Sequence, residues 1–373
     1  MKKQKVLFIS SSQLFFDVFI KDFCNGLSNK FEMYLITNLL KKKSFKSNIN
    51  YLHLPISRKI AIFTDLYCLF LIIYKVFFIK PDFIVTMTPK SIIFGSFLKL
   101  LLPSITRIHI YTGITWTNMK GLNRLFFIYL DKINIYFSNK LIFDSNEQII
   151  FLNNNNFSTN KFYLIANGSI KGVNPDKFCK LPIKKRVLLR SKYNIPPNKT
   201  VILYLGRLDF DKGLCILLKS FNLLYKENTN LYLVLVGNDE MDIKTILNKL
   251  NKENRTNILL LKHTKNPEKI MNVADIFCLP SLREGFGNVV IEASACELPV
   301  VGSNIYGLKS SIKNNLNGIT FKVGDINDLT KKLLILINNT KLRNRIGRDG
   351  RKFVIQNFNT NLVYKSLEKL LFN

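Results

Sequence analysis

The sequence predicts an α/β protein that contains two doubly wound parallel sheets in tandem. Short apolar runs alternate with segments of helical period along almost the whole chain. The runs are continuously apolar, which is typical of strands that helices cover on both faces. A charged, proline-containing stretch, residues 181–200, interrupts the alternation, and 373 residues favour more than one domain. We therefore predict two domains, residues 1–180 and 201–357, joined by this linker.

In the first domain, each strand is predicted from an apolar run between polar or turn-forming residues. The predicted strands are Val6–Ser10, Tyr34–Thr37, Asn50–Leu54, Phe83–Met87, Arg107–Tyr111, Leu141–Asp144 and Phe162–Ile165. Helical spacing of apolar residues predicts the helices Leu14–Leu27, Thr64–Phe78, Ser91–Leu101 and Leu122–Phe137, and a short helix from Ser145. Because helices separate most of the strands, the strands are expected to run parallel.

The second domain repeats the same alternation. The predicted strands are Val201–Leu205, Leu231–Val236, Ile258–Leu261, Ile276–Leu279 and Val300–Gly302. The predicted helices are Leu214–Leu224, Met241–Leu250, Glu268–Asn272 and Asn288–Cys296, and the rest of the chain is predicted to be helical. Ligands of such sheets bind at the carboxyl ends of the strands, so the loops that follow strands are where chemistry is expected.

The chain is strongly basic. Apolar residues make up 47% of it, which argues against extended disorder, and the formal net charge is +30. Residues 1–190 carry +19 of this charge and the remainder +11. Such a charge attracts polyanions, so nucleic acid, anionic lipid and phosphorylated substrates are all candidates. The codon bias of an A/T-rich genome, which favours Lys, Asn, Ile and Phe, would produce the same excess.

Targeting signals and metal sites are not indicated. Six cysteines stand singly, without a CxxC pair or a histidine cluster, which favours a reduced, cytoplasmic compartment and no metal. The first apolar run spans about five residues, short of the ~7–15 of a signal peptide, and reads as a buried strand. The longest apolar stretch, Ala61–Ile79, contains Asp65 and Lys75, so we do not expect it to span a membrane, which needs ~20 mostly uncharged residues.

The second domain opens with "VILYLGRLDFDKGL", a strand that runs into a glycine and two basic residues. Gly206 permits a sharp turn and close approach of a ligand, while Arg207 and Lys212 would project from the strand end. An arginine offers a planar fork of donors and a lysine a compact charge, so the two together can neutralise a diphosphate without a metal. The alternative is a solvated basic turn.

The stretch "LPSLREGFGNVVIEASACELPVV" places Glu284 and Glu292 on either side of a Gly-Phe-Gly turn. Carboxylates accept paired hydrogen bonds from vicinal hydroxyls, which both a hexose and a ribose present. A helix N-terminus between them suits a phosphate, and a nucleotide sugar has this layout of sugar, diphosphate and ribose. Donor contacts are predicted for Gly285, Phe286, Gly287, Asn288 and Val289. The alternative is that both glutamates are solvent-facing charges at a helix start.

The motifs together resemble a known family. "GRLDFDKG", "LVG", "ADIFCLPSLREGFGNVVIEASACELPVVGSNIYG" and "NGITF", in this order, resemble the retaining glycosyltransferases of family 4, which have the GT-B fold of two Rossmann-like domains facing a cleft. The resemblance is strong across Val201–Phe321. It continues upstream through "TPKSIIFG", "RIHIYTGITWT", "IFDSNEQIIFL" and "IANGSIKGVNPDKF", which look like a bacterial subgroup active in surface polysaccharide assembly. It implies that a C-terminal helix, residues 358–373, packs back toward the first domain.

The resemblance also implies a reaction and residue roles. A sugar would pass from a nucleoside diphosphate sugar to a hydroxyl of a glycan or polyprenyl-linked acceptor, with retained anomeric configuration and without a metal cofactor. The family's E-x7-E pair matches Glu284, our candidate catalytic residue, and Glu292, which would contact the ribose. Arg207 and Lys212, next to Gly206, would hold the diphosphate, because cations stabilise the charge of a leaving group.

By the same resemblance the first domain would hold the acceptor. Four candidates, His109, Thr112, Gly113 and Trp116, lie in "IHIYTGITW" at a predicted strand end. His109 sits inside an apolar run and reads either as a core histidine or as a cleft residue. The chain departs from many family members after the first strand, where "SSSQ" replaces a Gly-Gly loop, and Ser11 is a further cleft candidate.

Two apolar helical stretches with nearby lysines, Ile60–Lys80 and Phe94–Leu102, could dock a lipid-linked acceptor at an anionic membrane surface. Such an enzyme would be peripheral on the inner face of the plasma membrane. The alternative is that these stretches only pack on the sheet.

Proteins of other functions would carry other motifs. A nucleic-acid-binding protein would explain the charge, but the chain has no recognised reading motif, so nucleic acid is not expected as a partner. A dinucleotide oxidoreductase would need a G-x-G-x-x-G turn after a strand, which is absent. A sugar-nucleotide epimerase or a glycan phosphorylase of the same two-domain fold stays open as an alternative.

Overall fold

The chain forms two compact units in the computed structural model. The first unit comprises residues 1–171 together with 363–373, and the second comprises residues 172–362. Each unit has its own parallel sheet with helices packed on it, which confirms the predicted α/β class with two doubly wound sheets. The structure describes residues 3–39, 48–57, 61–117, 119–248 and 255–372.

The strands of the first unit, within the described residues, are β1 Gln4–Ile9, β2 Phe31–Thr37, β3 Ile49–His53, β4 Phe83–Thr86, β5 Thr106–Tyr111, β6 Lys140–Phe143 and β7 Phe162–Leu164. They form one sheet in the order β3-β2-β1-β4-β5-β6-β7, and every neighbouring pair is parallel. The run after the N-terminal lysines is thus a buried strand, as predicted, and it pairs with β2 and β4 in the middle of the sheet.

The helices of the first unit are α1 Gln13–Phe19, α2 Lys21–Gly26, α3 Ile62–Ile79, α4 Pro89–Leu101, α5 Gly121–Phe137 and α6 Asn146–Asn153. The single helix predicted at Leu14–Leu27 is therefore wrong, because the chain bends at Ile20. The backbone of Ile20 leaves the helical region, with φ −120° and ψ −26°, and its side chain is fully buried in the core.

Successive side chains of each strand point to opposite faces of this sheet. In β1, Val6 and Phe8 face the layer of α1 and α2, whereas Leu7 and Ile9 face α3 and α4. α5 packs beside α4 and covers the sheet through a separate cluster that includes Phe143 of β6. Helices α3, α4 and α5 therefore form one layer over one face.

The C-terminal helix, Thr360–Phe372, contributes to the core of the first unit. Val363, Leu367 and Leu371 are fully buried on the α1 and α2 side of the sheet. The hydroxyl of Ser366 accepts a hydrogen bond from the amide of Ala166 at 2.9 Å. The last eleven residues thus complete the first unit although they follow the second in sequence.

The strands described in the second unit are β8 Thr200–Leu205, β9 Leu231–Val236, β10 Ile258–Leu261, β11 Ile276–Leu279, β12 Val300–Ser303 and β13 Gly318–Phe321. Their sheet has the order β10-β9-β8-β11-β12-β13 and is parallel throughout. The prediction that the chain is only helical after β12 is wrong, because β13 pairs with β12 along the sheet edge. Two of its four residues are half-exposed, so no buried apolar run marks it.

The helices of the second unit are α7 Ile183–Lys192, α8 Leu214–Glu227, α9 Ile243–Asn248, α10 Pro267–Met271, α11 Asn288–Ala295, α12 Ile326–Asn338 and α13 Thr340–Phe358. The residues predicted as a linker, 181–200, lie within this unit and include α7. Arg190 of α7 binds the carboxylate of Asp275 at 2.7 Å, next to β11. The last two residues of the helix predicted at Met241–Leu250 lie outside the described residues.

Strand order reverses once in each sheet. In the first unit the reversal lies between β1 and β4, and in the second between β8 and β11. Loops that leave two such strands diverge to opposite faces, and the crevice between them is the usual ligand site of an open α/β sheet.

Candidate active site in the second unit

An ion pair occupies the crevice between β8 and β11. Lys212 ends the 3₁₀ turn Phe210–Lys212 that follows β8, and Glu284 lies on the loop that follows β11. The Lys212 ammonium lies 2.6 Å from the Glu284 Oε1, and the Ser281 hydroxyl donates to the same oxygen at 2.8 Å. The side chains of Lys212 and Glu284 are only 19% and 14% exposed, so this pair is shielded from bulk solvent.

Backbone-to-backbone packing brings these two loops together. Gly213, with φ +68°, lies so close to the loop after β11 that a Cβ there would be 1.9 Å from the carbonyl oxygen of Pro280. The amide of Leu282 donates to the carbonyl of Asp211 at 2.8 Å. A Cβ at Gly307, after β12, would be 1.9 Å from the Glu284 carbonyl oxygen. Only glycine allows these approaches, and they position Lys212 against Glu284.

Arg207, the second predicted diphosphate ligand, is held by carboxylates. Its guanidinium pairs with Asp209 at 2.9 Å and with Glu240 at 2.6 Å, and its side chain is 46% exposed.

Tyr204 of β8 holds the backbone of this turn. Burial, followed by the nearby Glu284 carboxylate, raises the pKa of the Tyr204 hydroxyl. That hydroxyl therefore stays protonated and donates to the carbonyl of Arg207 at 2.5 Å, which fixes the turn at Gly206.

The loop–helix junction after Glu284 holds the other predicted donor contacts. Gly287 is the N-cap of α11 in a left-handed conformation, φ +78°, and Asn288 and Val289 begin the helix, half-buried. Glu292 lies in the second turn of α11 and is 6% exposed. Phe286 differs from its neighbours because its side chain lies in the core against Phe358, with ring centroids 5.2 Å apart. Only the backbone of Phe286 could therefore contact a ligand. Gly285, which precedes Phe286, is half-buried.

The first-unit candidates separate into core and edge residues. His109 is buried within β5, and its Nδ1 lies 2.7 Å from the Thr86 hydroxyl. Burial, with a contribution from Arg107, lowers its pKa well below the usual value, so it is a neutral core histidine. Trp116 is fully buried, and its Nε1 donates to Asp131 at 2.7 Å.

Three candidates remain at strand ends of the first unit. Thr112 and Gly113 follow β5 and are half-buried. Ser11 follows β1, and its amide donates to the hydroxyl of Thr88, which follows β4, at 3.2 Å. Ser11 therefore lies at the reversal between β1 and β4, the position where a ligand of this sheet is expected.

Three residues that contact the predicted site residues were not predicted from the sequence. Asp209, Glu240 and Ser281 each contact Arg207 or Glu284, yet they were not among the predicted site residues. Asp209 lies within the motif "GRLDFDKG", so its proximity to Arg207 was available as a signal. Glu240 follows β9, and only the sheet order brings it beside the loop that follows β8.

A prominent cavity of the second unit lies elsewhere, and the part of the chain that the structure describes contains no metal-ligand cluster. A cavity of about 720 Å³ in the second unit is lined by residues such as Lys219, Gly324 and Asp325, and its lining includes no predicted site residue. Among the residues that the structure describes, no group of three or more His, Cys, Asp or Glu side chains is arranged to hold a metal ion. The assignment of the site therefore depends on strand order and charge.

Comparison with known proteins identifies the class. Two Rossmann-like units are shared with the solved structure of HepE from Anabaena in complex with UDP-glucose. That likeness has a TM-score of 0.80 at 16% identity and covers 98% of this chain and 99% of the other. The fold is GT-B, and the chain is a glycosyltransferase. Residues 186–353 match the family described as glycosyl transferases group 1, and they contain the motifs that resemble family 4.

Two curated relatives extend the likeness beyond the second unit. The capsular polysaccharide biosynthesis glycosyltransferase CapM of Staphylococcus aureus is 29% identical over 324 residues, which cover 85% of this chain and 83% of the relative. The N,N'-diacetylbacillosaminyl-diphospho-undecaprenol alpha-1,3-N-acetylgalactosaminyltransferase of Campylobacter jejuni is 28% identical over 243 residues, which cover 65% of this chain and 62% of the relative.

Proposed function

We propose that this glycosyltransferase moves a sugar from a nucleoside diphosphate sugar to a hydroxyl of a growing surface polysaccharide or its polyprenyl-linked precursor. Capsular polysaccharide biosynthesis is named for the Staphylococcus relative, and a diphospho-undecaprenol acceptor for the Campylobacter relative. UDP-glucose is the ligand named for the Anabaena structure. These names support a nucleotide-sugar donor and a glycan acceptor for this chain.

The observation that carries the proposal is the Lys212–Glu284 pair at the reversal point of the second sheet. A diphosphate that enters this crevice offers Lys212 a doubly charged partner, which frees Glu284 to accept hydrogen bonds from sugar hydroxyls. Arg207 can exchange one of its two carboxylate partners for a phosphate oxygen in the same way. Cations and helix N–H groups would then stabilise the leaving diphosphate as the bond to the anomeric carbon breaks.

Retention of configuration, independence of metal and a cytoplasmic location form part of the same proposal. Retention without a covalent intermediate is supported by the resemblance to family 4. Independence of metal is supported by the two cations, Arg207 and Lys212, which supply the charge that a metal would otherwise bring. We expect chelation by EDTA to leave turnover unchanged. All six cysteines are unpaired, which supports a reduced compartment.

Replacement of Glu284 by Gln tests the assignment. We expect Glu284→Gln to lower turnover by about 10²–10³-fold, because a neutral amide stabilises positive charge at the anomeric carbon less well than a carboxylate. Nucleoside diphosphate affinity should not weaken, since Lys212 loses its competing partner. The matched control is Glu297→Gln, which removes another close lysine pair, with Lys180 at 3.0 Å, in the turn before β12 and not in a loop that follows a strand of the crevice. Equal turnover of Glu284→Gln and wild type would refute the proposed role.

Product analysis separates transfer from the alternatives. Nucleoside diphosphate release that requires an acceptor, with a new glycosidic bond of retained configuration in the product by NMR, supports transfer. Isomerised donor would instead identify an epimerase, and phosphate-dependent cleavage of a glycan would identify a phosphorylase. Either result would overturn the proposed function.

A further inference from the structure

The first unit carries a large apolar surface that faces away from its sheet. On α3, α4 and α5, among the described residues, eight, four and six large apolar side chains respectively are exposed. We call these exposed side chains the apolar outer face. They include Phe63, Leu122 and Tyr136, which are 89%, 83% and 76% exposed. Soluble monomers rarely expose so many neighbouring apolar groups, so this surface indicates a partner.

Helix α3 shows the contrast between the two sides of this layer. Its inner side chains Cys68, Ile72 and Val76 are buried in the core against the sheet. Its outer side chains, such as Phe70 and Phe77, are 68% and 57% exposed, so the helix is apolar on both sides. By length and composition it could cross a membrane, with a mean hydropathy of 2.0 and 22% of it buried. The packed inner side instead favours a helix that lies along a membrane surface.

The charge around the apolar outer face favours an anionic partner. Residues 61–140 contain nine Lys or Arg and three Asp or Glu. The acidic residues on the three helices are Asp65, which binds Lys90 at 2.8 Å, and Asp131, which is buried. A second copy of the chain would bring like charges together, whereas an anionic bilayer complements exposed basic residues such as Lys120 and Lys132.

Aromatic side chains fit the same partner. Ten of the eighteen side chains of the apolar outer face are Phe or Tyr. Phenylalanine enters the boundary between headgroups and acyl chains, and tyrosine keeps its hydroxyl at the level of the headgroups. The composition of this face is therefore that of a membrane-interface surface.

We infer that the apolar outer face of α3, α4 and α5 inserts into the headgroup layer of an anionic lipid bilayer. The enzyme is then bound peripherally, with the first unit on the membrane. The inference deepens the proposed function and rests on it for the identity of the acceptor, because a polyprenyl-linked precursor is held in the same bilayer.

Co-sedimentation with vesicles tests the inference. We expect the full-length wild type to pellet with vesicles of phosphatidylglycerol and phosphatidylcholine, and less with phosphatidylcholine alone. The double variant Phe63→Ser, Phe70→Ser should lose about tenfold or more of this binding, because two apolar side chains that would leave water for the bilayer are removed. The matched control is Ile183→Ser, Leu188→Ser on α7, whose native side chains are 68% and 69% exposed, and it should bind as wild type.

UDP affinity measured on the same preparations separates the two proposals. Wild type that binds UDP but stays in the supernatant with anionic vesicles would overturn the membrane inference alone. Vesicle binding without affinity for UDP or any other nucleoside diphosphate would contradict the proposed donor and leave the membrane inference standing. Equal loss of vesicle binding in the α3 and α7 variants would also overturn the inference. So would a wild type that forms a dimer and binds no vesicles, if the α3 variant is a monomer.

Discussion

At the scale of residues, Lys212 and Arg207 are the proposed ligands of the diphosphate. Replacing Lys212 by Ala removes a charge-assisted contact and leaves the mostly buried Glu284 without its cation. We expect nucleoside diphosphate binding to weaken about 10–100-fold, and Arg207→Ala to weaken it less, because Arg207 is more exposed. Titration calorimetry measures both. Lys180→Ala, the control, should bind as wild type, and an equal loss in all three variants would contradict a specific clamp.

Asp131 is the residue whose titration should be visible in stability. It accepts hydrogen bonds from Trp116 at 2.7 Å and from Tyr111 at 2.9 Å beneath the loop that holds Thr112 and Gly113. Burial raises its pKa from 3.8 to about 6, although these two hydrogen bonds act to lower it. The folded state therefore binds its proton more tightly than the unfolded state between these two values.

The sign of the pH effect follows from this raised pKa. As pH falls from neutral through about 6 toward 4, protonation of Asp131 increases the free energy of unfolding, by up to about 3 kcal/mol. Other carboxylates titrate in the same range, so the difference between wild type and Asp131→Asn is the quantity to measure, by urea unfolding at several pH values. As pH falls, the free energy of unfolding of the wild type should increase relative to that of Asp131→Asn. A difference that does not change with pH would show that Asp131 titrates normally.

At the scale of elements, the site is made by loops that touch through their backbones. Gly213→Ala adds a Cβ at φ +68° that would lie 1.9 Å from the Pro280 carbonyl oxygen, so the loops after β8 and β11 must separate. We expect a loss of stability of ~2 kcal/mol or more, together with weaker nucleotide binding. Thermal unfolding and calorimetry measure the two effects.

The chain supplies a control for backbone strain alone. Gly324 has φ +81° but open space where its Cβ would lie, so Gly324→Ala carries the strain without the clash. It should destabilise by about 1 kcal/mol and leave nucleotide affinity unchanged. Equal effects of the two substitutions would mean that loop contact does not position Lys212 against Glu284.

At the scale of the whole molecule, the end of the chain belongs to the unit that holds its beginning. Removing residues 363–373 would expose the sites of Val363, Leu367 and Leu371, each fully buried in the first unit. We expect the free energy of unfolding of the first unit to fall by several kcal/mol, because burial of each of these side chains stabilises the fold by ~1.5–3 kcal/mol. Calorimetry should show an earlier transition for the first unit and an unchanged one for the second. A uniform shift of a single transition would contradict two separate cores.

Much of the architecture was legible in the sequence because each signal was local. Continuous apolar runs predicted twelve of the strands, and the glycines and basic residues after β8 and β11 indicated where a phosphate would bind. β13 was missed because it is half-exposed and has no apolar run. The break at Ile20 was missed because its neighbours keep a helical pattern on both sides.

The fold class, the class of enzyme and the types of side chain at the candidate site could be predicted from the sequence alone, since these depend on periodicity and motif spacing. The charges that meet became known from the folded chain, because Glu240 reaches Arg207 through sheet order, and Lys212 reaches Glu284 through glycine contacts. The tertiary structure also decided that His109 and Trp116 are core residues while apolar side chains of α3 face outward. Burial of a side chain depends on the residues that pack against it, and those residues are distant in sequence.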